Sequence, residues 1–337
     1  MAVTIKQIAE MCNVSRGTVD RVLNHRGRVS EETIQKVNDA VEKLGYKPNT
    51  FGKALALQKK KLRIGIILCS DGNEFYDDVI EGLKAAEEEH RDYQIEIVYR
   101  YMKGYDVREQ LDLLDELKIN VQCIILTAID DIQIARKIDE CMEKGIGVFT
   151  LNTDISDSKR ILHIGVDVLE CGRIACGLIA LLCGEVGNVL IATGSLSLLE
   201  SRNRIFGFCS TMEKRYPGIK LTEIIETQDN HEEAYKKMKG FLERNKNIQA
   251  VFIAGGGVTG ICTALKEYEM GHVKVVACDT IPAVRRMMEE KWIQATIVQQ
   301  PWRQGYQALD VAIRYLVGDE ITGNIEIENE IKLYENL

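Results

Sequence analysis

Near the N-terminus, three short stretches repeat the three-and-four spacing of apolar positions that marks an amphipathic helix. Ile5, Ile8, Ala9 and Met11 form a first inward face, opened by the capping box Thr4-x-x-Gln7. Cys12-Asn13-Val14 reads as a tight turn before Ser15, a second N-cap, and Val19, Val22 and Leu23 keep the period to about Asn24. Arg16, Gly17, Asp20 and Arg21 remain on the open face. Ser30 then caps a third helix with Ile34, Val37, Ala40, Val41 and Leu44 inward, stopping at Gly45, the expected C′ glycine. From Leu62 the period changes. Apolar runs near 64–69, 95–99, 121–127, 146–151, 187–192, 221–226, 250–254 and 274–278 alternate with amphipathic helical stretches. That order predicts parallel sheets covered by helices on both faces, two of them in this length, with a break near 166.

Length and composition narrow what such a chain can do. The 337 residues, 45% of them apolar, suffice for one small and one large domain with real cores. The longest unbroken apolar run, 174–184, falls short of the roughly 18 to 20 residues that span a bilayer. The opening Met1-Ala2-Val3-Thr4-Ile5-Lys6-Gln7 lacks the basic-then-apolar order of an export signal, so a cytosolic chain without a membrane partner is expected. Its ten cysteines, with no Cys-x-x-Cys pair, read as small buried hydrophobes. The five histidines are dispersed, so neither metal, cofactor nor hydrolytic catalysis is expected.

The net charge of −8 conceals a division. Residues 1–61 carry twelve Lys and Arg against six Asp and Glu; of the chain's 43 basic and 51 acidic side chains, 31 and 45 fall in 62–337. A basic head on an acidic body suggests a polyanion-binding module.

Two short helices joined by a tight turn, the second with a polar exposed face, can present side chains to a major groove. Val3-Thr4-Ile5-Lys6-Gln7-Ile8-Ala9, Val14-Ser15-x-x-Thr18-Val19-x-Arg21-Val22-Leu23-Asn24 and Leu44-Gly45-Tyr46-x-Pro48-Asn49 together resemble the lactose-repressor (LacI/GalR) family, densely over about the first 58 residues. The resemblance implies that Arg16 and Gly17 read base edges, that Arg21 makes a further base contact, and that Thr4, Ser15 and Asn24 contact phosphates. A guanidinium can donate two parallel bonds to guanine, which agrees for Arg16 and Arg21. Gly17 has no side chain to read with and would serve close approach. Residues 49–58 would be a hinge that becomes helical only on operator, with Asn49 and Gly52 at the minor groove and Leu55 wedged into a base step. Two copies are implied, a homodimer on a roughly palindromic double-stranded operator.

The body resembles, weakly over 62–337, the type I periplasmic sugar-binding fold and its ribose-binding branch. The matches stand at strand ends, where open α/β sheets bind ligands. Ser70, Asn73, Phe75 and Tyr76 follow the first strand, and Asn152 and Asp154 the fourth. Arg204 lies in Arg202-x-Arg204-x-x-Gly207-Phe208, Asp279 ends one strand and Gln299 another. Gly255-Gly256-Gly257 departs from the branch, which has an Asn-Asp-type pair there. Bare N–H groups at a helix start suit an anion, so the expected effector is a sugar or an acidic or phosphorylated derivative, with Gly255 and Gly256 cradling it and Arg204 as counter-charge.

The fold class that follows is a small all-α helix-turn-helix head plus an α/β body, two Rossmann-like parallel-sheet subdomains forming a clamshell. Its boundaries are a head at 1–48, a hinge at 49–61 and a body at 62–337. One subdomain would take about 62–166 and 300–325, the other about 167–299 and 326–337. The expected function is sequence-specific transcriptional regulation, by repression, tuned by a small molecule and without enzymatic activity. A rival remains: Gly255-x-Gly257-x-x-Gly260, followed 19 residues later by Asp279, is a dinucleotide fingerprint and would suit an NAD(H)-sensing regulator or a dehydrogenase.

Overall fold

The structure, a computed structural model, describes residues 5–23, 27, 29–44, 61–69 and 73–337. Thr4, Asn24, Gly45, the hinge stretch with Asn49, Gly52 and Leu55, and Ser70 lie outside the described residues, as does the side chain of Ile5. By internal contacts the chain separates into two units, Met1–Ala56 and Leu57–Leu337.

The first unit contains α1 (Ile5–Cys12), α2 (Arg16–Leu23) and α3 (Glu31–Leu44). Ser15 caps α2 by accepting from the Thr18 N–H at 3.0 Å, and Ser30 caps α3 by accepting from Thr33 at 3.4 Å. Ile8, Ala9, Cys12, Val19, Val22, Val37 and Ala40 are buried together. Two expected core positions are outside it. Met11 is 46% and Ile34 37% exposed. On α1 the position four after Ile8 is Cys12, which takes the inward place and leaves Met11 at the margin of the stripe. Ile34 sits in the first turn of α3, beside its cap.

The second unit holds two six-stranded sheets. The first is made of β1 (Arg63–Leu68), β2 (Glu96–Tyr101), β3 (Cys123–Leu126), β4 (Gly147–Leu151), β5 (Leu162–Val166) and β11 (Ile325–Ile327), ordered β11-β5-β4-β3-β1-β2 and parallel throughout. The second comprises β6 (Gly187–Thr193), β7 (Ile219–Glu226), β8 (Ala250–Ile253), β9 (Lys274–Cys278), β10 (Ala295–Val298) and β12 (Glu330–Lys332), ordered β12-β10-β9-β8-β6-β7, with β12 alone antiparallel. Continuous apolar runs are explained by two-sided cover. Ile64, Ile66 and Leu68 of β1 enter the core on one face while Ile67 enters the other. Strand β5 was not legible as an apolar run, because Leu162-His163-Ile164-Gly165-Val166 interrupts its alternation with a histidine and a glycine.

Among the described residues nine helices cover the sheets: α4 (Phe75–Glu89), α5 (Val107–Leu117), α6 (Ile132–Glu143), α7 (Val168–Cys183), α8 (Leu199–Arg215), α9 (His231–Arg244), α10 (Val258–Glu267), α11 (Pro282–Glu289) and α12 (Pro301–Leu316). The apolar run 174–184 is the second half of α7, ended by Gly184 at φ 65°. Among the described residues no helix is long and apolar enough to cross a membrane. Two close helix crossings set the site. A Cβ on Gly82 of α4 would lie 1.9 Å from the Trp302 carbonyl of α12, and one on Gly172 of α7 would lie 2.0 Å from the Arg204 carbonyl of α8. All ten cysteines are free and eight are buried, with the Cys171 and Cys278 sulfurs 3.9 Å apart.

Candidate functional site

The carboxyl ends of strands from both sheets meet at one cavity, with about 600 Å³ of empty space open in part to solvent. Asn73, Phe75 and Tyr76 reach it from the start of α4, Asn152 from the end of β4, and Glu200 and Arg204 from the first turns of α8. Asp229 follows β7, Gly255 and Gly256 follow β8, and Asp279 and Gln299 end β9 and β10. Asn152 and Asp279 have left-handed backbones, φ 63° and 64°, the region that Asn and Asp visit most readily after glycine.

Hydrogen bonds join these groups into two systems. In one, Tyr76 Oη donates to Asn152 Oδ1 at 3.4 Å, Asn152 Nδ2 to Gln304 Oε1 at 3.3 Å, and Gln304 Nε2 to the Gln299 carbonyl at 2.7 Å. Gln299 donates from its main-chain N to Asp279 Oδ1 at 3.0 Å and from its side chain to Oδ2 at 2.8 Å. Arg204, 4% exposed, gives Nη2 to Gln299 Oε1 at 2.7 Å and Nη1 to the Ala254 carbonyl at 2.5 Å. The other centres on Asp229. Its Oδ1 accepts from the Gly256 N–H at 2.6 Å, and its Oδ2 from Tyr105 Oη and, at 3.4 Å, from Asn73 Nδ2.

The electrostatics follow from burial. Desolvation pushes Asp279 up to about 6 against the bonds from Gln299 and the charge of Arg204, and pushes Glu200 up to about 8. Both carboxyls thus favour the neutral form more than an exposed acid would.

Most of the ligand residues expected from the sequence line this cavity: Asn73, Phe75, Tyr76, Asn152, Arg204, Gly255, Gly256, Asp279 and Gln299. Asp154 does not. It is engaged by Arg160, accepts from Thr150 Oγ1 at 2.8 Å and lies 3.8 Å from His163 Nδ1. Burial works against its ionisation, but Arg160 and its neighbours hold the carboxyl below its ordinary value. It is held in this ion pair and lines a neighbouring cavity together with Asn152, His163 and Glu200.

The glycine loop corrects a second expectation. The Gly256 N–H, offered to an anion on sequence grounds, is taken by the protein's own Asp229, whose charge would repel a phosphate. The glycines answer to packing instead. A Cβ at Gly256 would lie 2.7 Å from the Asp229 Cβ, one at Gly257 2.6 Å from the Ala234 Cβ, and one at Gly260 2.0 Å from the His231 carbonyl. In the stretch Gly255-x-Gly257-x-x-Gly260, the Gly256 N–H is thus occupied within the protein, and the Asp279 carboxylate is bonded to Gln299.

Tyr105, Glu200 and Asp229 are among the lining residues that escaped the sequence reading. Each stood in a legible place. Tyr105 and Asp229 follow strand ends that carried no family motif, and Glu200 lies four residues before Arg204, on the same face of α8.

In the head, Arg16, Gly17 and Arg21 lie on α2, and all three are exposed. Arg21 Nε donates to the Gly17 carbonyl at 3.1 Å. A Cβ at Gly17 would meet nothing nearer than Ser15 Oγ at 3.7 Å. Folding does not demand glycine there.

Residues 64–320 match the family described as periplasmic binding protein domain, and residues 4–49 the one described as bacterial regulatory proteins, lacI family. The chain is 30% identical over 254 residues to the probable HTH-type transcriptional repressor ExuR of Bacillus subtilis (strain 168), covering 74% of this chain and 72% of that one. It is 25% identical over 327 residues to the HTH-type transcriptional repressor PurR of Haemophilus influenzae, covering 92% and 90%. Among solved structures it is similar to GanP, a glucose-galactose binding protein from Geobacillus stearothermophilus, at TM-score 0.76 and 22% identity, over 82% of this chain and 98% of that one.

Proposed function

We propose, from the premise that this chain belongs to the lacI family of bacterial regulatory proteins, that it represses transcription at a specific operator and that occupancy of its cleft by a sugar-type molecule changes its operator affinity. The observation that carries the DNA reading is the outward face of α2, where two arginines flank a glycine that the fold does not require. Such a face can approach a groove closely and donate in pairs to guanine. Two copies reading two half-sites would supply the site length that one short helix lacks, so the binding species is a homodimer on double-stranded DNA.

For the effector, the support is the mixture of fixed donors and acceptors around Phe75 and Tyr76, the kind of lining that a polyhydroxylated ligand needs. GanP, which shares the fold, binds glucose and galactose. An acidic or phosphorylated effector has no such support, because three carboxyl groups line the cavity against one arginine and the Gly256 N–H is already taken by Asp229. Effector and operator then act on one equilibrium, so each alters the affinity of the other by the same factor.

Selection of bound duplexes from a random pool by the full chain tests the DNA reading. A preferred sequence with two-fold symmetry is expected, and equal retention of all sequences across a range of salt would refute it.

A further inference from the structure

The charge in the cleft is lopsided, and one carboxylate oxygen in it is left without a partner. Asp229 and Asp279 are each held by fixed protein donors, and Arg204 spends two of its nitrogens on the neutral oxygens of Ala254 and Gln299. Glu200 is different. It lines the same cavity, is 8% exposed, and its Oε2 has no hydrogen-bond partner among the described residues. One turn on, Arg204 attracts it without bonding it, and the Arg204 Nε is likewise buried without a partner. A buried acceptor and a buried donor left unmade on one helix face are costly unless an occupant completes them.

The occupant's charge follows from the sum. With Glu200, Asp229 and Asp279 ionised against Arg204, the cavity carries an excess of two negative charges, and burial pushes Glu200 up to about 8 in compensation. A ligand that brings a positive charge restores the ionised form; a neutral one leaves Glu200 holding a proton.

Resting on the reading of this cavity as the effector site, we propose that the effector is a polyhydroxylated molecule carrying a protonated amine, an amino sugar or amino polyol, whose ammonium docks on Glu200. Its hydroxyl protons meet Asp229 and Asp279.

Thermal unfolding of the full chain at pH 7 with matched probes tests this: D-glucosamine against D-glucose, D-galactosamine against D-galactose, D-mannosamine against D-mannose, and Tris against pentaerythritol, which needs no stereochemical match. A ligand that binds only the folded form raises the midpoint by mass action, so in at least one pair the amine is expected to shift it by roughly twice as much as its neutral partner, or more. Glu200→Gln should remove that preference and be no less stable than the parent without ligand. Should that variant fold poorly, Glu200→Ser serves for the same comparison, and the wild-type pairs decide the matter without either. Shifts by neutral members that equal or exceed those of the amines, or a preference that survives at Glu200→Gln, overturn the amine while leaving a sugar-type effector site intact. No shift with any probe removes both.

Discussion

Gly172 and Gly177 lie on the same helix, α7, and differ in what stands beside them. A Cβ at Gly172 would fall 2.0 Å from the Arg204 carbonyl and 2.8 Å from the Phe208 nitrogen, whereas one at Gly177 would meet nothing nearer than Tyr216 Oη at 3.9 Å. Replacing either by alanine removes a helical glycine, worth roughly 0.5–1 kcal/mol in favour of the fold. At Gly177 that gain is the whole effect. At Gly172, α8 must retreat by about 1.4 Å to restore the ordinary contact distance of 3.4 Å, and overpacking of this kind costs about 1–3 kcal/mol. The net expectation for Gly172→Ala lies between no change and a loss of roughly 2.5 kcal/mol, and since both variants share the helix gain, the gap between them is the overpacking cost itself, about 1–3 kcal/mol. Because the atom struck belongs to Arg204, the retreat also draws its guanidinium from the Ala254 carbonyl and Gln299. Urea unfolding of the full chain, followed by circular dichroism, measures the gap. If both variants are stabilised alike, α7 and α8 are not as close as described and the placement of Arg204 has another cause.

Glu200→Gln should also change the pH dependence of stability. Burial raises the Glu200 carboxyl from 4.5 to about 8, so its contribution is fully present below about 4.5 and is lost as pH rises through about 8. The stability of the variant relative to the parent should therefore grow between pH 5 and 8.5, on the order of a few kcal/mol, and a flat difference in melting midpoint would contradict this. In the head, Arg16→Ala should weaken binding to the preferred operator by about 5- to 150-fold, an energy of about 1–3 kcal/mol, with a smaller loss on random DNA in fluorescence anisotropy. Ser15→Ala removes the cap that accepts from Thr18 and should cost the head about 0.5–2 kcal/mol, read as a lower midpoint for its helical signal; an unchanged midpoint would mean that the cap is redundant.

Local chemistry made parts of this chain legible. Ser15 and Ser30 stand one residue before helices whose apolar spacing is regular, and both cap as their type suggests. Strands β3 and β8 are unbroken apolar runs, and β1, β4 and β9 nearly so, because both faces of their sheets are covered. Strand β5 was illegible because its half-buried His163 and its Gly165 break the run, although β4 and β11 flank it. In the cleft, residues next to strand ends were found wherever a family motif drew attention to them. Asp229 was missed because its importance lies in partners far along the chain, Asn73 and Tyr105 from the first sheet's connections and Gly256 from another turn. Asp154 lies outside that lining for the mirror reason, since only the fold brings Arg160 and His163 to it.

The same pairing explains why a ligand here can act on both sheets at once. Tyr76 on α4 is joined through Asn152 and Gln304 to Gln299, and Gln299 through Asp279 and Arg204 to the strand ends of the second sheet. Three residues in that neighbourhood, Asn152, Asp279 and Gln300, hold left-handed backbones at φ 63°, 64° and 52°. Conformations of this kind cost on the order of 1–3 kcal/mol each and persist where surrounding bonds over-determine them. An occupant that competes for Asn152 or Gln299 removes part of that determination on both sides of the cavity. On the proposed reading, closure and occupancy of the cleft would be one equilibrium, with its bias set by how well the ligand replaces the bonds that this site makes with itself.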